Sequence, residues 1–505
     1  MPASEGGAQI SLRRRRAITA GLLLGMSLGA LEATVVGTAM PTVIATLGGL
    51  AHYSWVFSAY LLTSTASVPI WGRLSDLYGR RRMYLAGIVV FLAGSMLSGV
   101  STTMVQLIAA RALQGLGAGA IIPLSMTIIG ELYTLAERAR TQALFSGVWG
   151  VASIAGPLVG GYITDSLSWR WVFYLNLPFG GLALLVIALA YPPRQQSVDV
   201  KVDWLGAGLM FAGVSALLLA LGGDTGADAW WLLAAALLLG YFIVVERRVA
   251  EPILPLDLLR TPIVARTIAV VFLLGVSMFG AIAFIPLFVQ GVMGGTATEA
   301  GQVLTPLFMG WVVTSIIAAR LTVQLGYRRV AIAGGVLLIA GFAGLSMMTA
   351  DSTKALLLSC CFLLGAGMGF SSLSLLLAVQ HGVDRSVLGI ATSLNQFARS
   401  IGAALGVAAM GALLTRRLAG VDLPEGAISG VSGVVLTAAA REQFAAALHQ
   451  VFIAGTIAAV GALVMTFFLP AIDLHKGVPA AAGEQMIAAE MTNLEAGDEP
   501  VGVRD

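Results

Sequence analysis

Two ionisable residues sit inside long apolar runs where hydrocarbon would make them costly. Glu32 lies in Leu28-Gly29-Ala30-Leu31-Glu32-Ala33-Thr34-Val35-Val36, and Arg111 opens Arg111-Ala112-Leu113-Gln114-Gly115-Leu116-Gly117-Ala118-Gly119. A carboxylate at membrane depth is expensive to keep charged, so such a group tends to face a cavity and to trade its proton for another partner. A guanidinium keeps its charge and needs acceptors, which Gln114, carbonyls or a carboxylate can supply. A third polar cluster, Asn395-Gln396-Phe397-Ala398-Arg399, falls in the middle of a late apolar run. It is expected to line a cavity or to hold parts of the molecule together. Phe279, Phe284, Gln290 and Met309 are weaker pocket candidates. Glu32 has a structural alternative, as an acid bonded to a neighbouring helix, and Arg111 has one as a snorkelling interface residue.

The elements that carry these residues are membrane helices. Of 505 residues 58% are hydrophobic and 11% charged, against about 25% charged in a soluble domain. Apolar runs of about 20 residues recur, and in lipid such runs must be helical to satisfy their backbones. Period-two alternation, the mark of a membrane barrel, is missing. Fourteen spans are expected at 17–40, 53–71, 83–101, 105–130, 139–164, 171–191, 204–222, 229–246, 266–290, 299–319, 328–349, 355–378, 388–414 and 445–470. A short interfacial helix is expected within 434–450, ahead of the last one. Basic residues gather in alternate connections: residues 13–16, Arg73 with residues 80–82, Arg138 and Arg140, Arg194 and Lys201, Arg247, Arg248 and Arg260, then Arg320, Arg328, Arg329 and Arg385; the late connection 415–444, with Arg416, Arg417 and Arg441, is the exception. The positive-inside rule places those connections and both termini in the cytoplasm of a cell (plasma) membrane. The acidic tail 473–505 is expected to be disordered.

Residues 72–82, Gly72-Arg73-Leu74-Ser75-Asp76-Leu77-Tyr78-Gly79-Arg80-Arg81-Arg82, read as a tight polar turn. Gly72 and Gly79 would permit the turn, and Asp76 would form an ion pair amid the four arginines of the loop or, across the surface, with Arg140. In the fifth span, Ala152-Ser153-Ile154-Ala155-Gly156-Pro157-Leu158-Val159-Gly160-Gly161 joins a proline bend to a close-packing face. The run 168–178, rich in Trp and Tyr, reads as an aromatic belt at the opposite interface. Residues 320–329 echo the 73–82 segment, and Gly365-Ala366-Gly367-Met368-Gly369 echoes Gly115–Gly119, so the chain contains a repeat.

These segments resemble the motifs of the major facilitator superfamily, and of its fourteen-helix drug:proton antiporters (EmrB/QacA-like multidrug exporters) in particular. The carrying motifs are the 72–82 loop, the Arg111 motif, the Gly156-Pro157-x-x-Gly160-Gly161 motif and the Glu32 segment, where the family often has aspartate. The resemblance implies an all-α polytopic membrane protein with the major facilitator fold: two six-helix halves, 1–191 and 261–472, with an inserted helix pair in 192–260. It also implies inward proton movement driving export of an amphipathic, cationic compound, by a monomer. Glu32, Arg111, Gln114, Asn395, Gln396 and Arg399 would then handle proton and substrate. Gly72, Asp76, Gly79, Arg80, Arg140, Gly156, Pro157, Gly160 and Gly161 would govern the change of orientation. Export of a native lipid or envelope precursor is one alternative, and a sensor that binds without transport is another.

No Walker-type phosphate loop is present, so ATP is not the direct energy source. No catalytic constellation marks an enzyme, and nothing calls for nucleic acid, a metal or a cofactor. Cys360 and Cys361 are adjacent, and helix neighbours cannot face each other to form a structural disulfide.

Overall fold

In a computed structural model the chain is described at residues 11–133, 135–192, 203–222, 228–249, 256–349, 352–383, 388–418 and 438–470. The linker 193–202, the tail 473–505 and residues 434–437 of the expected interfacial segment lie outside them. Fifteen α-helices are described. They are α1 (Leu12–Leu47), α2 (Tyr53–Tyr78), α3 (Arg80–Val100), α4 (Met104–Leu132), α5 (Leu135–Ser166), α6 (Arg170–Tyr174), α7 (Asn176–Ala190) and α8 (Trp204–Gly222). The others are α9 (Asp228–Glu246), α10 (Pro262–Leu287), α11 (Ala297–Leu325), α12 (Tyr327–Ser346), α13 (Lys354–His381), α14 (Leu388–Leu418) and α15 (Ala438–Phe467). Among the described residues, thirteen spans are long and apolar enough to cross a membrane, one of them Arg170–Ala190 made of α6 and α7 together. The fourteenth is α2, whose 26 residues suffice in length but carry many hydroxyls. The protein is a multi-pass membrane protein. α15 leads from Ala438 straight into the last span, so the described part of 434–450 continues that helix.

Three helix starts opposite the arginine-rich connections share one device. Thr103, Thr296 and Thr353 cap α4, α11 and α13, each accepting an amide hydrogen bond through its side chain. At the arginine-rich end the device is a single glycine. Gly79 (φ 91°) and Gly326 (φ 80°) end α2 and α11, and each donates its N–H back to the last turn. The polar stretch is thus shorter than the sequence implied. Gly72 is helical, and nothing lies within 4 Å of where its Cβ would be. Only Gly79 makes the turn. Gly79→Ala is therefore expected to cost about 1–2 kcal/mol, because L-residues resist that backbone region. Gly72→Ala should instead be neutral or stabilising, by up to ~1 kcal/mol. Thermal unfolding of the two purified variants checks the contrast.

Packing follows the repeat. α4 lies on α2 and α3, and α1 on α5 and α7; in the same pattern α13 lies on α11 and α12, and α10 on α14 and α15. The two sets meet through α5 with α11 and through α2 with α14, the same pairing taken in both directions. The echoed glycine motifs explain the tight crossings. Gly115 and Gly119 abut the α2 backbone at Tyr60 and Ser64, while Gly117 abuts α3 at Phe91. In the second set Gly365 and Gly369 abut α11 at Leu307 and Trp311, while Gly367 abuts α12 at Gly334. The inserted pair α8–α9 packs outside, where Met210, Val214, Leu218 and Phe242 meet Leu62 and Ala66 of α2 and Ala408 of α14.

Candidate functional site

Glu32 meets Arg111. The two side chains form an ion pair with almost no exposure, 1% for the acid and 2% for the base. Four further helices, α2, α3, α6 and α7, complete the network. Glu32 Oε1 accepts from Arg111, and Oε2 accepts from Gln114 Nε2 at 2.9 Å and from Asn176 Nδ2 at 2.7 Å. Both amides also donate to Ser95 Oγ, at 3.1 and 2.9 Å, and that hydroxyl donates to the Phe173 carbonyl at 2.9 Å. Arg111 donates to Gln114 Oε1 at 2.6 Å and to the Val56 carbonyl at 3.3 Å. Its guanidinium carbon lies 4.3 Å from the centre of the Tyr60 ring. Breaking such a buried pair one side at a time costs several kcal/mol, while neutralising both sides can be nearly free.

The location differs from a cavity-facing carboxylate. Glu32 is enclosed by α3, α4 and α7, within the first set of helices. Small residues of α1 seat those neighbours, with Gly21 against Ile187 and Gly25 against Tyr84. The sequence alone does not single out Asn176, which binds Glu32 directly, or Ser95, which accepts from both amides. Asn176 is the one amide side chain in 171–191, a signal masked by its aromatic surroundings. That segment is not simply an outward belt. Trp169 and Phe173 are turned into the core, at 2% and 1% exposure, and only Trp171 points out.

At the arginine-rich end Asp76 pairs with Arg80 at 2.5 Å, and Arg80 Nε reaches Glu131 Oε1 at 3.0 Å. The Arg140 side chain, the other expected partner, lies outside the described residues. In α5, Gly156 and Gly160 seat Thr34 and Val35 of α1, and Gly161 seats the first turn of α11. Pro157 lies inside α5, and its carbonyl abuts Gly301.

The third cluster opens on empty space. Thr392, Asn395, Gln396 and Arg399 fall on one face of α14, at spacings of three and four. With α10, α11 and α13 they line a cavity of about 240 Å³ in the arginine-rich half of the second set. Arg399 donates to Gln396 Oε1 at 2.5 Å. Asn395 Nδ2 and Ser372 Oγ, both at the wall, have no hydrogen-bond partner. Phe284, Gln290, Phe279 and Met309 do not line it. Phe284 packs on Tyr53, Gln290 Nε2 donates to the Thr38 carbonyl at 2.9 Å, and Met309 is 46% exposed.

Among the described residues, hydrogen bonds joining the two sets lie toward the end opposite the arginines. Tyr53 donates to the Ala283 carbonyl, and Ser58 to Ala404 at 3.0 Å. Asp165 of α5 accepts from the Ala297 and Thr298 amides of α11 at 3.2 and 2.7 Å, and from the Thr298 hydroxyl at 2.5 Å. Asp165→Ala removes this cap, worth about 0.5–2 kcal/mol, and should loosen that end. Spin labels at Leu167 and Met347, 67% and 79% exposed, are expected to report a growing population of longer distances.

Comparison with known proteins agrees with the fold. The family model described as Major Facilitator Superfamily matches residues 22–407. The chain is 41% identical to the multidrug transporter protein MdtP of Bacillus subtilis (strain 168) over 411 residues, 80% of this chain and 76% of that one. It is 36% identical to multidrug resistance protein 3 of the same organism, covering 84% of each. Among solved structures, a bacterial homologue of the human lysosomal transporter Spinster, in an inward-facing and unoccupied conformation, superposes with a TM-score of 0.69. That match covers 91% of this chain and 97% of the other at 16% identity, a likeness of fold. The match across most of its length, the doubled six-helix packing and the 41% identical relative together establish that this chain is a transporter, not an enzyme, and belongs to the Major Facilitator Superfamily.

Proposed function

We propose that this chain is a proton-coupled secondary exporter of amphipathic compounds in the cell membrane, with its arginine-rich end in the cytoplasm. The observation that carries the reading is the sealed Glu32–Arg111 network. When a proton neutralises Glu32, Arg111 loses its counter-charge, and the bonds tying α1 to α4 and α7 must rearrange. Two protonation states thus favour two arrangements of α1 against its neighbours, which is what coupling requires. α1 also carries Thr38, which binds Gln290 of α10, so a shift in α1 reaches the contact between halves. Halves 1–191 and 261–472 would rock about this contact, with 192–260 as the inserted pair, in a single working chain.

The direction of transport rests on three supports. The arginine distribution favours that end as cytoplasmic. The bonds between halves cluster at the other end, while the cavity lies in the arginine-rich half, as expected of a pump poised to load from inside. The relatives bear the names of multidrug transporters. A cationic cargo, which the resemblance implies, would have to meet Glu32 after Arg111 had left it. Export of an acidic lipid or envelope precursor is favoured by one specific feature, the arginine without a lining carboxylate in the cavity.

Proteoliposomes with an imposed pH gradient test the reading. Substrate movement against proton movement, for at least one amphiphile of a panel, is the expected result. A panel that elicits no substrate-coupled proton flux would instead favour a sensor. Saturable lipid transfer with feeble dye efflux would favour the lipid precursor.

A further inference from the structure

We propose that the cavity between α10, α11, α13 and α14 binds the acidic end of an amphipathic substrate, with Arg399 as counter-charge and Asn395 and Ser372 as donors. The inference rests on the export reading and names a substrate class for it. Three observations converge. Arg399 has no carboxylate within ion-pair distance among the described residues, and no Asp or Glu lines the cavity. Asn395 is 8% exposed, yet its Nδ2 has no partner. A buried amide without a bond costs free energy that a ligand's acceptor would recover. Ser372 Oγ, facing from α13, is a second unpartnered group. Donors and positive charge on one side, with no acid to oppose them, suit a carboxylate or phosphate.

The rest of the wall suits an apolar body. Trp311, Val271, Leu274, Met368 and Leu376 supply it. A cavity of about 240 Å³ holds a headgroup and a ring or two, below the ~300–1,000 Å³ of a whole drug-sized site. Arg399 suits this role because its planar fork can hold two oxygens of one acid group.

The full chain in phosphatidylcholine nanodiscs tests the assignment with three dansyl probes sharing one body. They are dansylglycine (acid), its methyl ester (neutral) and dansyl-ethylenediamine (cation). The wild type is expected to bind the acid about tenfold or more tighter than the ester, and the cation weakest. Arg399→Gln should erase that preference, and Arg399→Lys should keep part of it. Asn395→Asp places an internal carboxylate four residues before Arg399 on the same face, so it should compete away the acid but not the ester. Wild-type binding that ignores charge, or that favours the cation, overturns the proposal without relying on any variant folding. So does acid binding unchanged in both Arg399→Gln and Asn395→Asp. Repeating the titration in phosphatidylglycerol discs separates the sources. Displacement of dansylglycine marks a lipid headgroup as the occupant, and undiminished binding marks a free acid; either supports the pocket. Proton-driven flux of the neutral ester in proteoliposomes is scored separately. If that flux persists while charge preference is absent, the export reading stands and this assignment falls; if preference is present without any flux, the reverse holds.

Discussion

Glu32→Met alone, and Arg111→Met alone, are each expected to destabilise the protein by about 3–5 kcal/mol, whereas the double substitution should recover most of that loss. The reason is the isolation of the pair, with both side chains all but unexposed and bonded to each other. Removing one leaves the other charged in a medium that cannot solvate it. Removing both leaves Gln114, Asn176 and Ser95, which can still bond among themselves. Thermal unfolding in detergent, arranged as a double-mutant cycle, measures the coupling. Transport should not follow stability. The double variant is expected to be folded but unable to couple a pH gradient to efflux, since no group remains to carry the proton. Glu32→Gln should also fail to couple, since an amide cannot carry the proton, and with Arg111 left unpaired it should lose stability as the single methionine variants do. Double-variant efflux equal to wild type under the same gradient would place the coupling acid elsewhere.

The second large effect is expected where α5 crosses α11. A Cβ on Gly161 would run into the Ala297 carbonyl and lie 2.6 Å from Thr298 Cα. One on Gly301 would run into the Pro157 carbonyl and lie 3.2 Å from Leu158 N. The obstacles are backbone atoms, which cannot rotate aside as a side chain can. Gly161→Val and Gly301→Val should therefore push the helices apart at the end also held by Asp165, at a cost of about 1–3 kcal/mol. The label pair at Leu167 and Met347 should show the longer distance as the main population, and efflux should fall steeply. Gly147→Ala, on the same α5 with nothing within 4 Å, serves as the matched control and should change neither. Unchanged distances in both valine variants would show that the crossing does not hold that end closed.

Much of the molecule is determined by sequence alone. Apolar runs of membrane length must become helices, because lipid offers no other partner for their amides. The echoed segments at 73–82 and 320–329, and at 115–119 and 365–369, announce two halves built alike, and the glycines of both copies make equivalent crossings. Glu32, Arg111 and Gln114 stand out singly because each is costly where it lies. Helical spacing tells which residues share a face, yet it is silent on which helix that face will meet. So the pairing of Glu32 with Arg111, 79 positions apart, and the arrival of Asn176 from 144 positions away, came only from the packing of α1, α4 and α7. The extent of the 72–82 turn was also a tertiary matter. Leu74 through Tyr78 keep their helical bonds despite their polarity, leaving Gly79 alone to reverse the chain. The same holds for Asn395. Its sequence marks it as polar in an apolar run, but only the space left between four helices leaves its amide unbonded at the wall of a cavity that Arg399 also lines.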